Sequence, residues 1–128
     1  MTRQVFFPDP NRKPSGFSPI TRIKNAVFVS GQVPVDSSGD LVGEGDCQIQ
    51  AIQCFENIEA ALQCAGASMD DVAKITAFIV RPADYPDYAE VRLSKFPENG
   101  PASSSVFISG LVDPKFLIEI EAIAIVEG

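Results

Sequence analysis

The chain is 128 residues long, the size of one domain, so a catalytic domain plus a separate regulatory domain is excluded. It is 45% hydrophobic and 21% charged, a globular rather than a disordered balance. Its net charge of −7 opposes a phosphate backbone, and the absence of histidine excludes a Ser-His-Asp triad, a Cys-His pair, a histidine acid/base and a His-ligated zinc.

From the N-terminus, Met1 to Pro14 alternates charges with prolines and has no apolar core, which points to a cytoplasmic protein without a signal peptide. No stretch approaches the roughly 20 apolar residues that cross a bilayer, so no membrane partner is expected. Arg3 to Phe7 reads as a short edge strand and Pro8 to Pro14 as a loop. Ile20 to Lys24 and Ala26 to Ser30 read as strands joined by a tight turn at Lys24-Asn25, the second ended by Gly31 and Pro34. Asp36 to Gly45 is turn-rich.

Asp46 then stands as an N-cap before the clearest element of the chain. Ala51, Cys54, Phe55, Ile58, Ala61, Leu62 and Ala65 recur at helical spacing, and Gly66 stops the helix. Cys47, Cys54 and Cys64 all fall in this helix. Their odd number, the helical geometry and the lack of a CxxC pair predict reduced thiols with no disulfide and no metal, with Cys54 and Cys64 in the core. Ala73 to Val80 reads as a strand, Ala83 to Phe96 as a second helix with Pro86 in its first turn, and Ser104 to Leu111 and Leu117 to Val126 as the last strands. Two helices and one sheet bury their stripes only if both helices cover the same sheet face, an α+β layer arrangement in a single domain, 1–128. On the last strand Ile118, Ile120, Ala122 and Ala124 suit the covered side, and Leu117, Glu119, Glu121, Ile123 and Ile125 the other. A partly apolar open face predicts an oligomer.

Val27-Phe28-Val29-Ser30-Gly31-Gln32-Val33-Pro34-Val35 resembles the signature of the Rid family, the RidA/YjgF-type enamine/imine deaminases. The resemblance continues through Asn57-Ile58, Ala65-Gly66-Ala67-Ser68, Asp71 to Thr76, and Leu117 to Ala124. It implies a chorismate-mutase-like fold: a mixed sheet with two helices on one face, in a homotrimer around a central β-barrel. It also implies small-molecule sites in the clefts between subunits. The implied reaction is hydrolysis of an enamine or imine that bears a carboxylate, with release of ammonia. An imine is already electrophilic, so no cofactor and no metal are implied.

The resemblance assigns residues one at a time. Glu119 takes the place of the acid/base that handles water. Ser30 and Gly31 take the place of the groups beside the imine. Phe17 stands where tyrosine is usual, and Ala89 where asparagine is common. Ser103, in Pro101-Ala102-Ser103-Ser104-Ser105, stands where deaminase-competent members carry an arginine that forks a carboxylate. The chain thus resembles a divergent subgroup without that arginine. Ser103 and Ser105 are candidate hydrogen-bonding groups for a polar ligand, and Arg92 is a candidate anion anchor from another direction. Each has a plainer reading. Glu119 suits an interface ion pair, Ser30-Gly31 the end of a strand, the three serines a strand entry, and Arg92 or Arg22 a solvated face.

Two functions follow: an enamine/imine deaminase of altered specificity, or a non-catalytic small-molecule binder or sensor using the same cleft. A ribonuclease is disfavoured by the charge and the missing histidine, so no nucleic-acid partner is expected. Ser103 is expected to line the cleft between subunits near Glu119 and Ser30, the last strand bringing Glu119 back alongside it. On that placement, Ser103→Arg alone is expected to restore a carboxylate grip.

Overall fold

The apolar stripe after Asp46 forms helix α1, Cys47–Cys64, which is the centre of the core. The Asp46 carboxylate accepts a hydrogen bond from the Ile49 amide at 3.1 Å, the N-cap expected there. At the other end Ala65 is the cap and Gly66 follows with φ +79°, a left-handed conformation that only glycine adopts without strain. The Gly66 amide donates to the Gln63 carbonyl and the Ala67 amide to the Leu62 carbonyl, a Schellman closure. This computed structural model describes residues 2–127; Met1 and Gly128, the outermost positions of the expected 1–128 domain, lie outside the described residues.

The remaining elements are β1 (Gln4–Phe6), β2 (Ile20–Ile23), β3 (Ala26–Gln32), β4 (Val72–Ile79), α2 (Tyr85–Lys95), β5 (Ala102–Phe107) and β6 (Ile118–Ile125). The strands form one six-stranded sheet in the order β1-β2-β3-β6-β4-β5. Every neighbouring pair is antiparallel except β4 and β5, which α2 joins as a parallel crossover. Both helices lie on one sheet face. Ile118, Ile120, Ala122 and Ala124 are buried against them, and β4 adds Ile75, Ala77 and Ile79. Phe55 of α1 stacks on Tyr88 of α2 at 6.2 Å between ring centres, and Phe96 meets it edge-on. The opposite sheet face carries Thr76, Phe78, Glu119, Glu121 and Ile123, all half-buried, with no element laid over it.

Three boundaries and the placement of one cysteine depart from the sequence reading. Gly31 does not end β3; the strand runs on to Gln32 across a register shift between Val29 and Gln32, so Gly31 sits in a bulge. β5 stops at Phe107 rather than Leu111, because the Ile108 amide makes the last bond to β4, at Ile79, and Ser109-Gly110 follows. α2 begins at Tyr85, since Pro82–Asp84 forms a 3-10 turn in which Asp84 is held by Arg81 through two bonds of 2.6 and 3.1 Å. Cys64 is exposed at the last turn of α1, off the apolar stripe, whereas Cys47 and Cys54 are buried. Burial pushes the Cys47 thiol up to about 12 and the Cys54 thiol higher still, so both stay protonated at neutral pH.

One buried polar residue links α1 to the entry of β6. The Gln50 side chain is fully buried. Its amide nitrogen donates to the Gly43 and Lys115 carbonyls at 3.1 and 3.0 Å, and its oxygen accepts from the Leu117 amide at 2.8 Å. Gln50→Leu keeps the volume and strips partners from these backbone groups. It should lower stability by about 2–3 kcal/mol, seen in urea unfolding as a lower midpoint at unchanged slope.

Candidate functional site

The carboxylate of Glu119 lies beside Gly31, at the point where the bulge in β3 brings its backbone against β6. A side chain at Gly31 would overlap that carboxylate, since a Cβ there falls 2.6 Å from Glu119 Cδ. Glycine is therefore required for this approach, although its backbone conformation is an ordinary one. Burial pushes the Glu119 carboxyl above the usual carboxylate range, and the like charge of Glu121 adds to the shift. A carboxyl raised in this way costs the fold stability as pH climbs through its folded pKa, and it is poised to exchange protons nearer neutrality.

Ser30 is adjacent in sequence but differently employed. Its hydroxyl donates to the Ser18 carbonyl at 2.7 Å, and its amide donates to the Pro19 carbonyl. It lines a hollow of about 220 Å³ with Ser18, Thr21, Phe28 and Glu121, not with Glu119. Phe17 is 61% exposed in the loop before β2 and lines neither this hollow nor the one described next.

The serines of β5 sit elsewhere. Ser103 and Ser105 pair in register with Ile75 and Ala77, whose side chains point to the helices. Glu119 pairs with Phe78, which points the other way. Within one protomer Ser103 and Glu119 thus project from opposite faces of the sheet, with β4 between their strands. Within one protomer the last strand therefore does not return alongside Ser103, and a cleft holding Ser103, Glu119 and Ser30 together would have to draw them from two protomers. β6 inserts between β3 and β4 instead of pairing with β5.

Around Ser103 a second cleft opens, about 440 Å³ in volume, lined by Tyr85, Arg92, Ser103, Ser105 and Phe107. Arg92 is no solvated face residue. Its guanidinium donates to Ser103 Oγ at 3.3 Å and to the Tyr85 hydroxyl at 3.1 Å. It also packs over the Tyr88 and Tyr85 rings, 5.2 and 5.7 Å from their centres. The Tyr88 hydroxyl and Ser105 Oγ are buried beside it and make no hydrogen bond of good geometry. Burial raises the Tyr88 hydroxyl, opposed by Ser103 and Arg92. The sequence reading missed Tyr85, Tyr88 and Phe107. Tyr85, Tyr88 and Arg92 follow i, i+3, i+7 spacing on α2, and Ser103, Ser105 and Phe107 follow the period of two on β5. Arg22 is structural: it caps α1 through the Ala65 carbonyl at 2.8 Å. Among the described residues no three His, Cys, Asp or Glu side chains cluster as metal ligands, and no helix is long and apolar enough to cross a membrane.

Residues 11–126 match the protein family described as Endoribonuclease L-PSP, the family that includes the YjgF/RidA proteins. The chain belongs to the YjgF/RidA family. It is 39% identical over 126 residues to a RutC family protein of Pyrococcus abyssi, covering 97% of this chain and 98% of that relative. It is 37% identical over 125 residues to the 3-aminoacrylate deaminase RutC of Acinetobacter baylyi, covering 97% and 98%. The crystal structure of the Rid family protein YyfA of Yersinia pestis superposes with a TM-score of 0.87 at 29% identity, covering 98% of this chain and all of that one. The family fold is thus the α+β arrangement that the hydrophobic pattern requires.

The contact between Gly31 and Glu119 can be tested without breaking the fold, because the atom in the way is the mobile end of a side chain. Gly31→Ala should leave stability within about 1 kcal/mol of wild type while displacing the Glu119 carboxylate. Thermal melting together with the carboxyl carbon shift of Glu119 by NMR reads both effects.

Proposed function

We propose that this protein is an enamine/imine deaminase acting on a small substrate that carries a carboxylate, in a cleft between subunits of a homotrimer. Its specificity differs from that of relatives with arginine at the position of Ser103. The observation that carries the reading is the Glu119 carboxyl, raised by burial and held against Gly31. It stands in a chain 37% identical to a 3-aminoacrylate deaminase across nearly its whole length.

The reaction asks little of the protein. An enamine first takes a proton from solvent at carbon and becomes the iminium ion, the protonated imine. Glu119 accepts a proton from water as the oxygen bonds to the imine carbon. The resulting carbinolamine receives that proton at nitrogen, the C–N bond breaks as the hydroxyl proton passes back to Glu119, and ammonia leaves. A carbonyl remains on the acid. Glu119 serves as base and then as acid, which a carboxyl raised above its usual range does more readily at neutral pH. No step needs a metal or an organic cofactor. The open sheet face supports a trimeric assembly, and the opposed projections of Glu119 and Ser103 support a site completed by two protomers. Reduced, uncrosslinked cysteines suit a cytoplasmic setting. RNA is a poor substrate for a chain of net charge −7 with no histidine.

The test supplies 2-imino acids from an amino-acid oxidase and follows 2-oxo acid formation against spontaneous hydrolysis. Wild type should accelerate it, and Glu119→Gln should lose about 100-fold or more while keeping its melting temperature and its trimeric mass by light scattering. A wild-type rate equal to the spontaneous one contradicts the proposal.

A further inference from the structure

We infer that Arg92 is the anion anchor of this site: its guanidinium, reaching from α2, takes over at Ser103 the carboxylate grip that relatives draw from β5. The inference rests on the deaminase reading for the identity of the acid, but the anion site stands on its own geometry.

Four observations converge on it. First, the Arg92 guanidinium ends 3.3 Å from Ser103 Oγ, so its charge occupies the neighbourhood that an arginine at 103 would fill. The small serine leaves the cleft open for it. Second, Arg92 is without an anion of its own. Among the described residues the ion pairs employ Arg12, Arg81 and Lys115, and no carboxylate lies within ion-pair distance of Arg92. An unpaired, half-buried guanidinium is unexpected in a chain with 17 acidic residues. Third, the Tyr88 hydroxyl and Ser105 Oγ are buried at the same place, beside Ser103 and Arg92, without a hydrogen bond of good geometry. Buried polar groups are rarely left unpaired, and Ser105 lines the cleft itself. Fourth, Arg92 is held ready. The Tyr85 and Tyr88 rings support its plane, and Ser103 and Tyr85 engage only two of its five N–H groups. The remaining donors can fork a carboxylate, which lysine cannot do. Little side-chain entropy is left to lose on binding.

This arrangement also revises the expected effect of a strand arginine. Ser103→Arg alone would set two guanidinium groups against each other, so it should not improve the site. In an Arg92→Gln background the same change restores the charge.

The probes are 2-oxobutyrate, a product-like acid, and 2-oxobutyramide, its neutral counterpart, titrated by NMR into the intact protein. Wild type should prefer the acid. Arg92→Gln should weaken the acid roughly 10- to 100-fold and leave the amide unchanged, and Arg92→Lys should fall between. Arg92→Gln/Ser103→Arg should recover at least about tenfold for the acid over Arg92→Gln. In the imine assay the same series should act on acid substrates. If wild type fails that assay yet shows Arg92-dependent acid binding, the deaminase reading falls and the anchor stands. The inference is overturned if folded Arg92→Gln binds the acid as wild type does, or loses acid and amide equally. It is also overturned if the double variant binds the acid no better than Arg92→Gln.

Discussion

Alternation along β6 is the constraint on which the rest of the molecule depends. Successive side chains on a strand point to opposite faces. Ile118, Ile120, Ala122 and Ala124 are buried under the helices, so Glu119 and Glu121 must point away from them. A slip of one residue would place two carboxylates in the core, a penalty large enough to fix the register. Gln50 fixes it a second time, by holding the Leu117 amide at the strand entry. The same rule governs β5, whose Ser103 and Ser105 follow Ile75 and Ala77 toward the helices. One parity thus protects the core and divides the polar groups of the site between two sides of the sheet.

This division gives the proposed trimer a chemical reason. A lone protomer cannot apply Glu119 and the Arg92–Ser103 cleft to one small ligand, because its own sheet separates them. A neighbour whose open face meets the β5 edge could supply the missing half. That edge has exposed apolar residues suited to such a contact, Val106 and Phe107 at 42% and 55%.

Much of the fold was legible because it is set by period and punctuation. The stripe from Ala51 to Ala65, the Asp46 cap and the Gly66 stop defined α1 to within a residue. The alternation in Leu117 to Ile125 defined β6 and its buried side. Less legible were features that depend on partners distant in sequence. The bulge at Gly31 exists because β3 pairs with β6, almost 90 residues onward, and no local signal distinguishes it from a strand end. Strand order was equally hidden, and with it the separation of Ser103 from Glu119 within a protomer. Arg92 stayed ambiguous between an anion anchor and a solvated face, because its i, i+3, i+7 relation to Tyr88 and Tyr85 has meaning only once β5 lies beneath them. Cys64 failed for a simpler reason: the stripe rotates away from it at the end of the helix.

The most direct measurement is subunit complementation. Glu119→Ala and Arg92→Gln chains are each inactive on 2-imino acids if both residues serve one site. Unfolded together in equal amounts and refolded, they form mixed trimers. If each site draws Glu119 from one protomer and Arg92 from its neighbour, about a quarter of the sites are intact by random assortment, and about a quarter of wild-type activity returns. A mixture as inactive as either parent would contradict a site shared between protomers.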